Sequence, residues 1–121
     1  MNFQAQPTRI QLGESGERRS IATLCRAGTG PGLFWLGGFN STMDGAKATA
    51  LDAMGAEWGA AVTRFDYSGC GASGGACADW TISRWLDESH AVFTRKTTGP
   101  QVVVGSSMGA WLALLLNRRL K

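Results

Sequence analysis

The chain has 121 residues, of which 44% are hydrophobic and 17% are charged. This is the composition of one folded domain rather than of a disordered segment. Its 12 Lys and Arg and 9 Asp and Glu residues give a formal charge of +3, and the basic residues are too scattered for a nucleic-acid-binding stripe. The three cysteines and one histidine fit no zinc pattern, so we expect free thiols and neither a metal nor another cofactor. With no signal peptide and no membrane-spanning apolar run, the sequence predicts a soluble cytoplasmic protein.

Strand and helix patterns alternate along the chain. Two strands, predicted at residues 8–12 and 20–26, flank a turn-rich stretch typical of a hairpin. Further strands are predicted at residues 32–36, 61–66 and 101–104, and helices at residues 44–58, 82–95 and 108–121. The strict alternation after residue 33 predicts the α/β class, with a mostly parallel sheet flanked by helices.

Each of the first two predicted helices has residues at helical spacing that define one face. In the first helix these are Ala46, Ala50, Leu51, Met54 and Trp58, and in the second they are Ile82, Trp85, Leu86, Ser89, Val92 and Phe93. Thr81 or Asp79 is expected to cap the start of the second helix.

A G-x-S-x-G motif occupies residues 105–109, between a buried strand and an apolar helix. This is the strand-turn-helix context of a nucleophile elbow, in which small neighbours let the chain turn sharply and expose the serine hydroxyl. Ser107 is therefore the candidate nucleophile, and the helix that follows it directs backbone N–H groups and a positive dipole end toward the site. The alternative interpretation is that Gly105 and Gly109 serve only a tight turn and close strand-helix packing.

Acyl transfer also needs an oxyanion hole, which is built from the N–H after the nucleophile and a second N–H from an earlier loop. Met108 supplies the first of these groups. The loop at residues 36–40 follows the third predicted strand and contains Gly37 and Gly38, so we assign the second donor to the N–H of Phe39. These glycines could instead be a hinge before the next helix.

Three segments stand in a recognisable order: residues 34–39 (FWLGGF), 64–73 (RFDYSGCGAS) and 105–109 (GSSMG). Together they resemble the oxyanion loop, the D-x-x-G-x-G-x-S loop and the elbow of the α/β-hydrolase superfamily. More narrowly, the sequence is similar to the branch that contains the mitochondrial acyl-protein thioesterase and its bacterial relatives. The resemblance implies an α/β-hydrolase fold and a serine hydrolase acting on a small-molecule or acyl-protein ester or thioester. Gly37 and Cys70 depart from the residues usual in the family at their positions.

The catalytic acid and histidine of such an enzyme follow the nucleophile, but residues 110–121 contain no Asp, Glu or His. Residues 1–121 are therefore expected to be the N-terminal half of the domain, inactive alone and requiring a missing C-terminal segment or a complementing chain. Asp66 is expected to brace loop N–H groups, and His90 to be a solvated or half-buried helix residue. The alternative is a truncated, non-catalytic fragment or binding module.

Residues 69–74 also match G-x-G-x-x-G, the dinucleotide-binding fingerprint. That fingerprint requires a helix at its third glycine and an acidic residue at the end of the next strand. Residues 75–78 delay the helix, and the next strand ends in Gly105 and Ser106. A dinucleotide site is therefore not expected.

Overall fold

The computed structural model describes residues 7–14 and 16–121. Within these ranges the strands are β1 (Thr8–Leu12), β2 (Arg19–Arg26), β3 (Gly32–Leu36), β4 (Val62–Phe65) and β5 (Gln101–Gly105), and the helices are α1 (Ala46–Trp58), α2 (Ile82–Lys96), α3 (Met108–Leu120) and a short 3-10 helix at Cys77–Asp79. The α/β class with flanking helices is confirmed. Most bounds agree with the predicted ones within one residue. Helix α1 starts two residues later than predicted because a turn, closed by the N–H of Gly45 donating to the carbonyl of Thr42 (2.9 Å), precedes it.

The strands form one sheet in the order β1-β2-β4-β3-β5. Strand β2 pairs antiparallel with both β1 and β4, whereas β3 pairs parallel with β4 and β5. The register of the last pair sets Leu36 opposite Gly105. Because these two strands are parallel and end together, the loops that follow them emerge side by side at one edge of the sheet.

The sheet has hydrophobic residues on both faces. Successive side chains of β3 point to opposite faces. Leu33 and Trp35 pack with α1, while Phe34 and Leu36 pack with α2 and α3. The cluster on the second face is the larger; its buried members include Ile10, Ile21, Phe65, Tyr67, Trp85, Val92, Leu112 and Leu116. All five residues of β3 are buried, because β3 lies between β4 and β5 and is covered by helices on both faces.

Helix α1 presents a different face to the sheet from the one that its spacing predicted. Its buried residues are Ala48, Leu51 and Gly55, whereas Met54 and Trp58 are exposed. A Cβ on Gly55 would collide with the Val62 side chain, so the helix approaches β4 through its smallest residue. Close approach of the backbone therefore outweighs the burial of the larger side chains.

Helix α2 packs as predicted, through Trp85, Ser89 and Val92. The side chain of Thr81 caps it by accepting the N–H of Arg84 (3.0 Å), which decides between the two predicted caps. Within the described residues no helix is long and apolar enough to cross a membrane.

Strand β5 lies at the edge of the sheet, and the surface beside it is apolar. Val102 is 52% exposed, and Trp111 and Leu114 on α3 are 54% and 72% exposed. More than half of the Trp111 side chain is therefore accessible to solvent. The side of α3 that packs on the sheet is formed instead by Leu112 and Leu116.

Asp66 is a buried carboxylate that holds two loops together. Its Oδ1 accepts the N–H of Met43 (2.7 Å), and its Oδ2 accepts the N–H of Ala72 (2.9 Å). Burial raises the pKa of this carboxyl, and the two backbone N–H groups offset part of that rise. The bracing role predicted for Asp66 is therefore confirmed.

A second buried carboxylate, Glu88 on α2, was not singled out from the sequence. It accepts hydrogen bonds from Arg19 Nε (2.6 Å) and from the N–H (2.7 Å) and hydroxyl of Ser68. Both partners of the ion pair are largely buried, with side-chain exposures of 8% and 0%. Glu88 lies three residues after Trp85 and four before Val92, which places it on the buried face of α2. A single acidic residue on that face was the sequence signal for a buried carboxylate.

Replacing Asp66 with Ala is expected to lower the free energy of unfolding by about 2 to 5 kcal/mol, because two backbone N–H groups lose their acceptor. Chemical denaturation measures this change. Asp87→Ala is the matched control; its carboxylate pairs with Arg119 but is 60% exposed, and its loss is expected to cost less than about 1 kcal/mol. Equal effects of the two substitutions would contradict the bracing role.

Candidate active site

Ser107 lies in the two-residue connection between β5 and α3, directly before the first residue of α3. Its φ is 57° and its ψ is −123°, a conformation that a non-glycine residue adopts only at a cost of about 1 to 3 kcal/mol. Ser107 is also exposed, and its side chain makes no capping hydrogen bond to α3. The hydroxyl is therefore held out at the start of a helix rather than used to stabilise that helix.

The two glycines of the motif let this turn pack against the sheet. A Cβ on Gly109 would collide with the carbonyl of Leu36, and a Cβ on Gly105 would collide with the backbone of Gly109. The N–H of Ser106 continues the ladder of the parallel pair by donating to the carbonyl of Leu36 (3.1 Å). The turn at residues 105–109, the predicted elbow, therefore rests directly on the end of β3.

The loop after β3 lies against the serine. A Cβ on Gly38 would stand 3.3 Å from the Cβ of Ser107, so the backbone of this loop and the side chain of the serine are neighbours. The loop turns through Asn40, which has a φ of 62°, and the N–H of Ser41 closes the turn by donating to the carbonyl of Gly38 (3.1 Å). These contacts bring the predicted oxyanion loop and the predicted nucleophile together.

The backbone N–H groups of Phe39 and Met108 are the donors predicted for the oxyanion hole. Within residues 7–14 and 16–121, neither group donates a hydrogen bond. Met108 is the first residue of α3, where backbone N–H groups have no acceptor within the helix. Both groups are therefore free to bind an incoming oxygen atom.

Tyr67 holds the predicted oxyanion loop (residues 36–40) through a hydrogen bond. Its hydroxyl donates to the carbonyl of Gly37 (2.8 Å), and its ring stacks on that of Trp85 with centroids 4.5 Å apart. Burial of the Tyr67 phenol raises its pKa far above the ordinary value, so the hydroxyl keeps the proton that this hydrogen bond requires. The ring of Phe39 packs against Trp80 (5.2 Å) and remains 46% exposed.

A cleft of about 400 Å³ opens at this point, lined by Trp35, Gly38, Phe39, Ser41, Thr42, Gly45, Ala46, Lys47, Ala48, Ser106 and Ser107. A second, more apolar cleft of about 580 Å³ adjoins it toward α1 and β5. Ser107 is a lining residue of each cleft, so both clefts border it.

The only histidine of the chain, His90, is half-buried within α2, as expected, and it lines neither of these clefts. Among the described residues, the linings of both clefts include no Asp or Glu. Ser107 thus has no proton acceptor of the usual kind within the described parts of these clefts.

Cys70 is one of the two positions at which the sequence departs from the family that it resembles. It is buried, and burial raises the pKa of its thiol to about 11. A thiol in this state is a poor nucleophile at neutral pH. Its role here is packing, next to Tyr67 and Trp85 in the core.

The fold of the described residues recurs in solved hydrolase structures. A hydrolase-class protein from Agrobacterium vitis S4 matches with a TM-score of 0.93 and 45% identity, over 98% of this chain and 46% of that one. Mouse α/β hydrolase domain-containing protein 10 matches with a TM-score of 0.81 and 35% identity, over 89% of this chain and 43% of that one. The chain belongs to the α/β-hydrolase superfamily.

Within that superfamily, the chain is similar to the mitochondrial palmitoyl-protein thioesterase ABHD10. It is 36% identical to the rat protein over 109 residues, which are 90% of this chain and 37% of that protein. It is 39% identical to the human protein over 87 residues, which are 72% of this chain and 28% of that protein. The chain thus spans less than half the length of these curated relatives. No protein-family model matches it.

Gly109→Ala is expected to destabilise the protein by about 2 kcal/mol or more, because the new methyl group would collide with the carbonyl of Leu36. Helix propensity alone would favour Ala at this position by about 1 kcal/mol, so steric collision and helix propensity predict opposite changes in the free energy of unfolding. Thermal or chemical unfolding decides between them.

Gly74→Ala is the matched control for this substitution. A Cβ on Gly74 would meet its nearest neighbour at 3.5 Å, an ordinary contact, and little change in stability is expected. A stable Gly109→Ala protein would mean that the elbow does not rest on β3 as described.

Proposed function

We propose that the protein containing this chain is a serine hydrolase that cleaves carboxylic ester or thioester bonds, with Ser107 as its nucleophile. The observation that carries the proposal is the strained backbone of Ser107 between β5 and α3, next to the backbone N–H groups of Phe39 and Met108, which donate no hydrogen bond within the described residues. Strain of this kind persists where the surrounding structure enforces it and is concentrated at functional sites. An exposed serine held in this way is suited to attack a carbonyl carbon.

In the proposed reaction, Ser107 Oγ forms a bond to the acyl carbon while its proton passes to a histidine outside residues 1–121. The carbonyl electron pair moves to oxygen, and the N–H groups of Phe39 and Met108 bind the resulting oxyanion. When the carbonyl re-forms, the bond to the alkoxide or thiolate leaving group breaks, and the leaving group takes the proton. Water then repeats these steps on the acyl-serine, which releases the acid and restores the hydroxyl.

The histidine and the acid must come from a further segment of the same protein or from a complementing chain. Two observations support this part of the proposal: the chain covers 46% of its Agrobacterium vitis relative, and β5 leaves an apolar surface at the sheet edge. Val102 and Leu114 on that surface are more than half exposed, which suits coverage by further parts of the fold. Residues 1–121 alone are expected to have turnover near background, because Ser107 would lack a base.

The thioesterase branch is the narrower part of the proposal. Its support is the similarity to ABHD10, a palmitoyl-protein thioesterase in rat and human. The half-exposed ring of Phe39 and the apolar cleft beside Ser107 are compatible with an apolar acyl group. We therefore propose an acyl thioester of a protein or small molecule as the substrate class.

The second candidate function is a non-catalytic binding module that keeps the shape of the elbow. The observation that favours it is the cleft lining, which in the described part of the chain has no His, Asp or Glu. Turnover that depends on Ser107 distinguishes the two candidates.

Ser107→Ala, made in the protein that supplies the rest of the domain, is expected to lower kcat for p-nitrophenyl butyrate by about four orders of magnitude or more. The loss follows because no covalent acyl-serine can form. Ser106→Ala is the matched control, since it removes a hydroxyl one residue away, and it should cost far less activity. Equal losses would mean that the nucleophile is assigned to the wrong serine, and a wild-type protein without turnover would favour the binding module.

Acyl thioesters of increasing chain length test the substrate class. For the proposed thioesterase, kcat/KM is expected to rise with length, because each buried methylene contributes up to about 0.8 kcal/mol of binding. A matched series of oxygen esters shows whether the leaving group matters. Activity that is flat with length, or a preference for amides, would contradict the thioesterase assignment and leave the serine hydrolase in place.

A further inference from the structure

Lys47 reaches across the candidate site from α1. Its Nζ donates a hydrogen bond to the hydroxyl of Ser106 (3.0 Å), 59 residues away in sequence and directly next to the nucleophile. Lys47 lines both clefts that contain Ser107, and among the described residues of those linings it is the one charged side chain. Its ammonium group therefore borders the same clefts as Ser107.

The position of Lys47 is electrostatically unfavourable for the fold. It is the second residue of α1, and the first turn of that helix contains no acidic residue. The N-terminal end of a helix carries partial positive charge, so a cation there is repelled. None of the ion pairs of the described residues includes Lys47.

The hydrogen bond to Ser106 also has a consequence for geometry. A lysine ammonium can only donate, so Ser106 Oγ is the acceptor, and the exposed lysine side chain lies along the surface toward Ser106. Fixing such a side chain costs conformational entropy. A repelled cation that is nevertheless fixed beside the nucleophile is better explained by the reaction than by stability.

We propose that Lys47 takes part in the hydrolase reaction as a fixed source of positive charge. Held by Ser106, its positive charge faces the cleft in which Ser107 and the N–H of Phe39 meet the substrate, and it stabilises the negative charge of the tetrahedral intermediate. This inference rests on the proposed function. Because the charge acts on the intermediate and not on a neutral substrate, the effect belongs to kcat.

The test compares Lys47→Met with Lys96→Met in the protein that supplies the rest of the domain, using uncharged p-nitrophenyl butyrate. Lys96 is the matched control, since its Nζ also donates to a hydroxyl, that of Thr8 (3.3 Å), far from the site. Lys47→Met is expected to lower kcat about ten-fold with little change in KM, as loss of one nearby, partly solvated charge would do. Lys96→Met is expected to leave both constants unchanged.

Two further variants separate charge from hydrogen bonding. Lys47→Arg keeps the charge and is expected to recover most of the kcat lost in Lys47→Met. Ser106→Ala keeps Lys47 but frees it, so only a few-fold loss is expected. Lys47→Met should unfold at the wild-type temperature or slightly above it, because the side chain is exposed and its charge is repelled by the N-terminal end of α1.

The inference is overturned if Lys47→Met matches Lys96→Met in kcat, if its loss falls on KM alone, or if Lys47→Arg is no better than Lys47→Met. These outcomes are distinct from failure of the proposed function. That failure would appear as a wild-type protein without turnover, or as turnover that Ser107→Ala does not abolish.

Discussion

The parallel pairing of β3 with β5 positions each group of the candidate site. Because Leu36 stands opposite Gly105, the two strands end at the same level, and the chain leaves both of them at one edge of the sheet. The chain that leaves β3 forms the loop with Gly38 and Phe39, and the chain that leaves β5 forms the turn with Ser107. Had either strand shifted by one residue, its side chains would have exchanged faces, and the serine and the oxyanion loop would no longer meet.

The loop after β3 and the turn at Ser107 can approach each other because glycines, which have no side chain, lie at their contacts. Gly109 lies against the carbonyl of Leu36, and Gly38 lies against the side chain of Ser107; neither position has room for a larger residue without movement of its neighbours. Helix α1 approaches the sheet in the same way, with the backbone of Gly55 against the side chain of Val62. In each case a backbone approaches its neighbour directly, which fixes distances more firmly than a flexible side chain could.

The loop after β4 supports the site although it contributes no group to the proposed reaction. Asp66 ties it to the segment before α1, Glu88 ties it to α2, and Tyr67 ties it to the oxyanion loop. Each of these polar groups is buried with its hydrogen bonds made, as burial requires. Buried charges of this kind add little net stability compared with apolar packing, so their value here lies in holding three loops in one arrangement.

The sequence by itself determined the elements, their order and the candidate nucleophile. Hydrophobic periodicity and glycine boundaries are local signals, so the strands and helices, the α/β class and the context of Ser107 could all be predicted. Tertiary structure decided the rest: that α1 packs through Ala48 and Gly55, that Glu88 is buried against Arg19, and that Lys47 reaches Ser106. Such contacts join residues distant in sequence, and they depend on how closely two backbones can approach, which no local pattern records.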